Sequence, residues 1–253
     1  MTPHSSTDAT TGPDDQPGSG WLTEARAEVA RDPDSISRAF AFAARRVGRA
    51  PLRPDVDPAG VVHGTLDDAA RAALVVALAD AVGTGQDCAD RLVSLYRQGD
   101  AAERRGVLRG LDALTERGDL GRADTDTDTD TDTDTDSSTD TDTGSDPTVA
   151  AGLDLAADAL RTNDPSLVAA AVGPFGSRHL DQHTWRHAIL KLVFQGVSLE
   201  AASDLEARAD DELDRMARDF ATERRAAGRS VPTDLDRLTS PPLSSHPLSS
   251  TKE

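Results

Sequence analysis

The segment from Asp124 to Asp146, DTDTDTDTDTDTDSSTDTDTGSD, limits most strongly what this chain can fold into. It holds ten Asp, no basic residue and no apolar side chain. Its alternation imitates a strand, but there is no face to bury and the carboxylates repel one another. Any core must be assembled from what lies on either side. The expectation is a disordered acidic linker over 122–148, a helical half over 21–121 before it and a second helical half over 149–238 after it. Residues 1–20 and 239–253, rich in Ser, Thr, Pro and Gly, read as disordered tails. Lengthening a surface loop costs only about 0.6 kcal/mol per doubling, so one domain carrying an insertion is favoured over two.

The tract also locates the charge. The 253 residues carry 45 acidic and 27 basic side chains, a formal charge of −18. Setting aside the ten Asp of the tract and Asp8, Asp14 and Asp15 leaves −5 for the parts that can fold. The field of the whole chain opposes phosphate backbones and anionic lipid, so nucleic acid is not an expected partner. A locally basic cleft is still compatible with this composition. The one cysteine, Cys88, excludes an internal disulfide and a multi-cysteine metal cluster, and reads as a small buried hydrophobe in a reducing, cytoplasmic setting. No run approaches the roughly 18 apolar residues of a spanning helix, and the first twenty residues lack the basic and apolar regions of an export signal. No direct membrane insertion is expected. GTGQ at 83–86 lacks the length and lysine of a phosphate loop, and no cofactor is called for.

Outside the tract, apolar residues recur at helical spacing and glycines and prolines punctuate them. Ser35 can cap a helix carrying Ile36, Phe40, Ala43 and Val47 that ends at Gly48. Thr65 to Asp68 is an Asp version of a capping box ahead of Leu66, Ala70, Leu74, Ala77 and Leu78, closed by Gly83. Leu92 to Tyr96 and Val107 to Leu114 mark further helices, and Asp164-Pro165 starts another beyond the tract. YRQGDAAERRGVLRGL and LRTNDPSLVAAAV resemble one another loosely, as an internal hairpin repeat would. The fold class is therefore all-α: antiparallel helical hairpins stacked in a bundle or a short HEAT-like array, with the Asp/Thr tract as an insertion.

One helix stands apart. Over DQHTWRHAILKLVFQ, from Asp181 to Gln195, Trp185, Ala188, Ile189, Leu192 and Val193 fall on one face and His183, His187, Leu190 and Phe194 on the other. Apolar residues on both sides predict a central helix packed twice. Lys191 is one of two lysines, against 25 arginines. It is either a snorkelling helix lysine or an ammonium kept for a ligand. His179, His183 and His187 recur every four residues, a spacing that can serve packing, polar ligand contacts or a metal, although no second ligand cluster accompanies them and Asp181, as the helix cap, sets His179 ahead of the helix. The expectation is no metal, with these three as the only candidates. Beyond, Leu213, Met216, Ala217 and Phe220 form a buried stripe, while Glu212, Arg215, Asp219, Glu223 and Arg224 form a charged face. That face is either solvated ion pairing or, through Arg208 and Arg215, a contact for an anion beside Lys191.

The stretch HLDQHTWRHAILKLVFQGVSLEAASDLEARADDELDRMARDFATERRAAGRSVPTDL resembles the EboA family. The likeness rests on Trp185, Leu190, Lys191, Phe194 and Gly196, then Leu205, Arg208, Leu213, Arg215, Met216, Asp219, Glu223, Arg224 and Ala227 to Arg229. It covers about 163–238, and SLYRQGD with VLRGL is similar to the family's middle. Two positions depart: an Asn-Pro-Tyr-Pro-like turn stands here as Gly173-Pro174-Phe175-Gly176, and an Asn expected after Arg208 is Asp210. The resemblance implies an accessory protein of metabolite traffic in secondary metabolism, encoded beside a membrane prenyltransferase-like protein and other enzymes of an Ebo-type gene cluster. It would be cytoplasmic, reaching the membrane only through such partners, and would bind a small anionic or polar metabolite without catalysis. The residues expected at the ligand are Lys191, His183, His187, Arg208, Arg215, Trp185 and Asp219. Two alternatives stand: an enzyme of the same pathway using Lys191 or the His179/His183/His187 site, and a purely structural subunit of an assembly.

Overall fold

Aspartate and glycine set the helix boundaries. The computed structural model describes residues 19–121 and 146–239. The tails and the tract, read above as disordered, lie outside the described residues except at their edges. There the boundaries shift: α1 (Ser19–Arg31) already begins at Ser19, and Thr239 closes the last helical turn. At the far edge of the tract, Asp146 accepts from the Thr148 amide as N-cap of α6 (Pro147–Arg161). Thr148 is fully buried, its hydroxyl donating to the Thr84 carbonyl at 2.6 Å.

Between these edges run α2 (Ile36–Val47), α3 (Leu66–Val82), α4 (Gln86–Gln98) and α5 (Ala101–Arg117). Beyond the tract, α6 is followed by α7 (Pro165–Ala171), α8 (Pro174–His179), α9 (Gln182–Gln195), α10 (Leu205–Arg208), α11 (Asp211–Ala226) and α12 (Asp236–Thr239). The expected stops at Gly48 and Gly83 are in place, and Gly118 and Gly196 likewise follow their helices at positive φ. Asp100, Asp164 and Asp181 each accept an amide of the first turn that follows. Ser35 differs. It stands at the N-cap position of α2 but makes no side-chain cap bond; its hydroxyl donates back to the carbonyl of Asp32, which caps the short 3₁₀ turn just before. Among the described residues there is no strand, only an isolated bridge between Pro51 and Thr65. The protein is all-α.

Helices pack against their second neighbours: α1 on α3, α3 on α5, α5 on α7 and α8, α7 on α9, and in a second row α4 on α6. That is the pattern of hairpins stacked in an array. It places the two loosely repeated segments on adjacent rungs, with Asp100 starting α5 and Asp164 starting α7. The tightest rung is α3 on α5. A Cβ at Gly106 would stand 2.4 Å from Arg71 Cδ, and one at Gly110 2.6 Å from Val75 Cβ, so α5 turns two hydrogen-only positions toward α3. One apolar core, including Leu74, Leu78, Leu111, Leu155, Val168, Trp185 and Ile189, runs through helices on both sides of the tract.

Candidate functional site

Helix α9 buries Trp185, Ala188, Ile189, Leu192 and Val193, the face read from the periodicity. Its other face is not a second packing surface. His183 and His187 are exposed, Leu190 is half-buried, and Phe194 is 67% exposed, its ring 6.1 Å from that of Phe220 between centroids. The expectation of a helix packed on both sides is corrected to one packed along a single side. Its histidines look onto a shallow cavity of about 290 Å³ lined by Leu160, His183, Thr184, His187, Ala188 and Lys191.

Three expected residues meet there. The His183 and His187 rings stand edge to face, 4.5 Å apart. Lys191 Nζ donates to the carbonyls of Leu160 and Thr162, each at 2.6 Å. These carbonyls lie at the C-terminal end of α6, where helical partners run out, so the ammonium closes that end from a neighbouring helix. Of its three donors one is left.

The other expected residues are elsewhere. Arg208 fans its guanidinium over the carbonyls of Gly176, Ser177 and Leu180 and the side-chain oxygen of Gln182. It stacks on the Trp185 ring at 4.7 Å. Burial pulls its pKa down, and its donors are consumed in tying α10 to α8 and α9. Trp185 is fully buried and serves as the floor of that clamp rather than a ligand wall. Arg215 pairs with Glu212 and Asp219 on the exposed face of α11, at 2.6 and 2.8 Å. Arg208 is thus engaged in a clamp, and Arg215, with Asp219, in ion pairing on an exposed face. Of the apolar stripe on α11, Leu213 and Ala217 are buried and Met216 and Phe220 half-buried.

The histidine triplet also separates. His179 closes α8, buried, its ring against Phe175 at 4.7 Å, on a different cavity from His183 and His187. Burial, with Arg178 nearby, lowers its pKa to about 4. Among the described residues no group of three His, Cys, Asp or Glu could hold a metal ion. Cys88 is fully buried and its thiol pKa is raised by that burial.

Both departures from the family pattern have physical counterparts. The Asp112 carboxylate enters where Gly173 has no side chain, and a Cβ there would lie 2.5 Å from its oxygen. It accepts from the Phe175 amide at 3.0 Å, and burial raises its pKa to about 6 against the pull of Arg109. Asp210 is the N-cap of α11, accepting from the Leu213 amide, and also takes the Arg186 guanidinium, which lowers its pKa to about 2.

Sequence reasoning missed a buried ionic network. Arg71, 1% exposed, holds Asp67 at 2.6 Å and the Phe40 carbonyl. Arg105 holds Asp68 at 2.7 Å and reaches Ser166 and Thr65. The signal was available: Arg71 continues the stripe of Leu74 and Leu78, where a charge needs a partner. The network ties α3, α5 and α7 and is structural.

Among the described residues no helix is long and apolar enough to cross a membrane. No curated protein and no solved structure matches this chain. Residues 151–240, which carry α9, the Arg208 clamp and α11, match the family model EboA, metabolite traffic protein EboA.

Proposed function

We propose that this chain is an accessory protein of metabolite traffic, a non-catalytic helical adaptor that helps precursors of a secondary metabolite reach export. The observation that carries this reading is the open face of α9: His183 and His187 exposed beside a Lys191 whose ammonium is already committed to two carbonyls. Such a surface offers hydrogen bonds, one remaining N–H of a cation and an adjoining apolar rim to a small polar or anionic metabolite, or to the protein that hands it over. A lysine that closes a helix end is poorly disposed to form an imine, and two histidines without a third ligand make a poor metal site. The partners on this reading are the other proteins of an Ebo-type cluster, including a membrane prenyltransferase-like protein, and the chain works in the cytoplasm, touching the membrane through them.

The test is affinity capture of the full chain co-expressed with those proteins. We expect the wild type to retain a partner or metabolite, and the double substitution His183→Ala, His187→Ala to lose it at unchanged thermal stability. Retention of neither by the wild type, or borohydride trapping of a carbonyl metabolite on Lys191, would overturn the reading.

A further inference from the structure

Among the described residues four large apolar side chains are exposed, and three of them, Phe42, Leu52 and Val56, lie in one short stretch, at 38%, 43% and 69%. Between them stand Arg45, Arg46, Arg49 and Arg53, all exposed, against a single acid, Asp55. The stretch 42–56 is thus +3 in a chain of −18. Among the described residues none of these four guanidinium groups has an ion-pair partner, and Arg45 lies over the Phe42 ring at 5.5 Å. Elsewhere the fold pairs arginines even near its surface, as Arg91 with Asp34 and Asp87, and Arg117 with Asp80 and Asp119.

The geometry presents these groups outward. Helix α2 buries Ile36, Phe40 and Ala43, while Phe42, Arg45 and Arg46, at i, i+3 and i+4, share its opposite side. The loop that follows is built rather than loose. The Leu52 amide donates to the Gly64 carbonyl at 3.0 Å, and the Val56 amide donates to the Arg53 carbonyl at 3.3 Å. The buried Asp57 carboxylate accepts the Val61, Val62 and His63 amides at 3.0, 2.9 and 2.8 Å. Val56 therefore projects from a fixed turn.

The pairing of charge with apolar surface narrows the occupant. Guanidinium groups take phosphate oxygens, which lipid head groups and nucleic acids both offer. Leucine and valine gain nothing from a phosphate backbone but are buried when they enter the acyl boundary of a bilayer. Four arginines beside exposed apolar side chains are the arrangement that docks on anionic lipid. The field of the acidic tract is screened beyond about 8 Å at physiological salt, so at a surface these arginines act locally.

We infer that the outer side of α2 and the 49–56 loop form a docking surface for an anionic lipid bilayer. The arginines meet head-group phosphates, and Phe42, Leu52 and Val56 enter the acyl boundary. The chain thereby has a membrane contact of its own besides any made through partners. The surface lies outside residues 151–240 and uses neither the α9 face nor another protein, so it can fail while the adaptor role holds, and the reverse.

The test is flotation of the purified full chain with vesicles of phosphatidylcholine alone or of phosphatidylcholine mixed with phosphatidylglycerol, at low and high salt. Binding is expected on the anionic vesicles only, weakening as salt rises. Arg46→Gln with Arg49→Gln should weaken it by about fivefold per arginine removed. Leu52→Ser with Val56→Ser should also weaken it, while thermal stability and retention on heparin stay as in the wild type, because both side chains already face water. The inference falls if the wild type floats with neither vesicle or with both alike. It falls too if the Leu52/Val56 variant binds anionic vesicles as tightly as the wild type, which would mark a site for a plain polyanion such as nucleic acid. Binding that appears only after residues 125–142 are excised would assign the arginines to the chain's own Asp tract and overturn it as well.

Discussion

His179 and Asp112 are both buried titratable groups, and their effects on stability oppose each other across the same pH range. The folded-state pKa of Asp112 is raised to about 6 from 3.8, so the native state holds a proton that the unfolded chain releases. Its contribution is full below about pH 4 and lost as pH rises through 6. His179 is lowered to about 4 from 6.5, so the unfolded chain takes up a proton that the native state refuses. Its neutral form costs nothing above pH 6.5, and stability falls as pH drops toward 4. The wild type should therefore show a shallow dependence between pH 4 and 6.5, and His179→Phe should expose the Asp112 slope, with stability decreasing as pH rises. The amplitude is on the order of 3 kcal/mol at most, from 1.36 kcal/mol per pKa unit. Urea unfolding at stepped pH checks it. An unchanged profile in the variant would mean that His179 has an ordinary pKa in the folded protein. Of this, only the place of His179 ahead of α9 was legible, from Asp181 as the cap; the burial of His179 and Asp112 depends on helices that meet from far apart in the chain. The separation came from Leu180 and Asp181, which end α8 and restart the chain as α9.

At the scale of elements, the α3–α5 contact depends on what α5 lacks. Gly110 faces Val75, whose Cβ and both methyls would lie 2.6–2.8 Å from an added Cβ. Gly110→Ala should lower stability by about 1–3 kcal/mol, the usual cost of overpacking, although alanine is the better helix former. Equilibrium denaturation of the variant measures this, and no loss would show that the two helices can move apart freely. Helix starts and stops were the most readable part of the chain because each is a local matter of one side chain and one or two backbone groups. Asp164, Asp181 and the stops at Gly48 and Gly83 were found from sequence for that reason. Ser35 misled because Asp32, three residues earlier, takes the capping role in a 3₁₀ turn. The second packing face of α9 failed for a different cause: periodicity reports that a face is apolar but not what covers it. Phe194 remains 67% exposed.

Across the whole molecule, the halves flanking the tract share one core and are joined by specific polar contacts. Asp112 of α5 holds the Phe175 amide of α8, Arg105 reaches Ser166 of α7, and Tyr96 of α4 donates to Asp158 of α6 at 3.0 Å. Excising residues 125–142 should leave the thermal midpoint within a few degrees of the wild type, since closing a shorter loop changes the entropy by about 1 kcal/mol or less. A calorimetric scan decides this, and a large loss would assign the tract a folding role. The Arg71 and Arg105 network lies at this scale too. Arg71 and Asp67 lie one helical turn apart and could have been paired from spacing, whereas Arg105 and Ser166 lie on different helices and could not.

The Thr148 hydroxyl on the Thr84 carbonyl has a consequence for how the chain behaves as a kinetic object. The segment that re-enters after the tract is seated on the α3–α4 turn, in the half made first during synthesis. With one core and this bond shared between the halves, unfolding should be a single cooperative event in which neither half outlives the other, read as coincident transitions from probes placed in each.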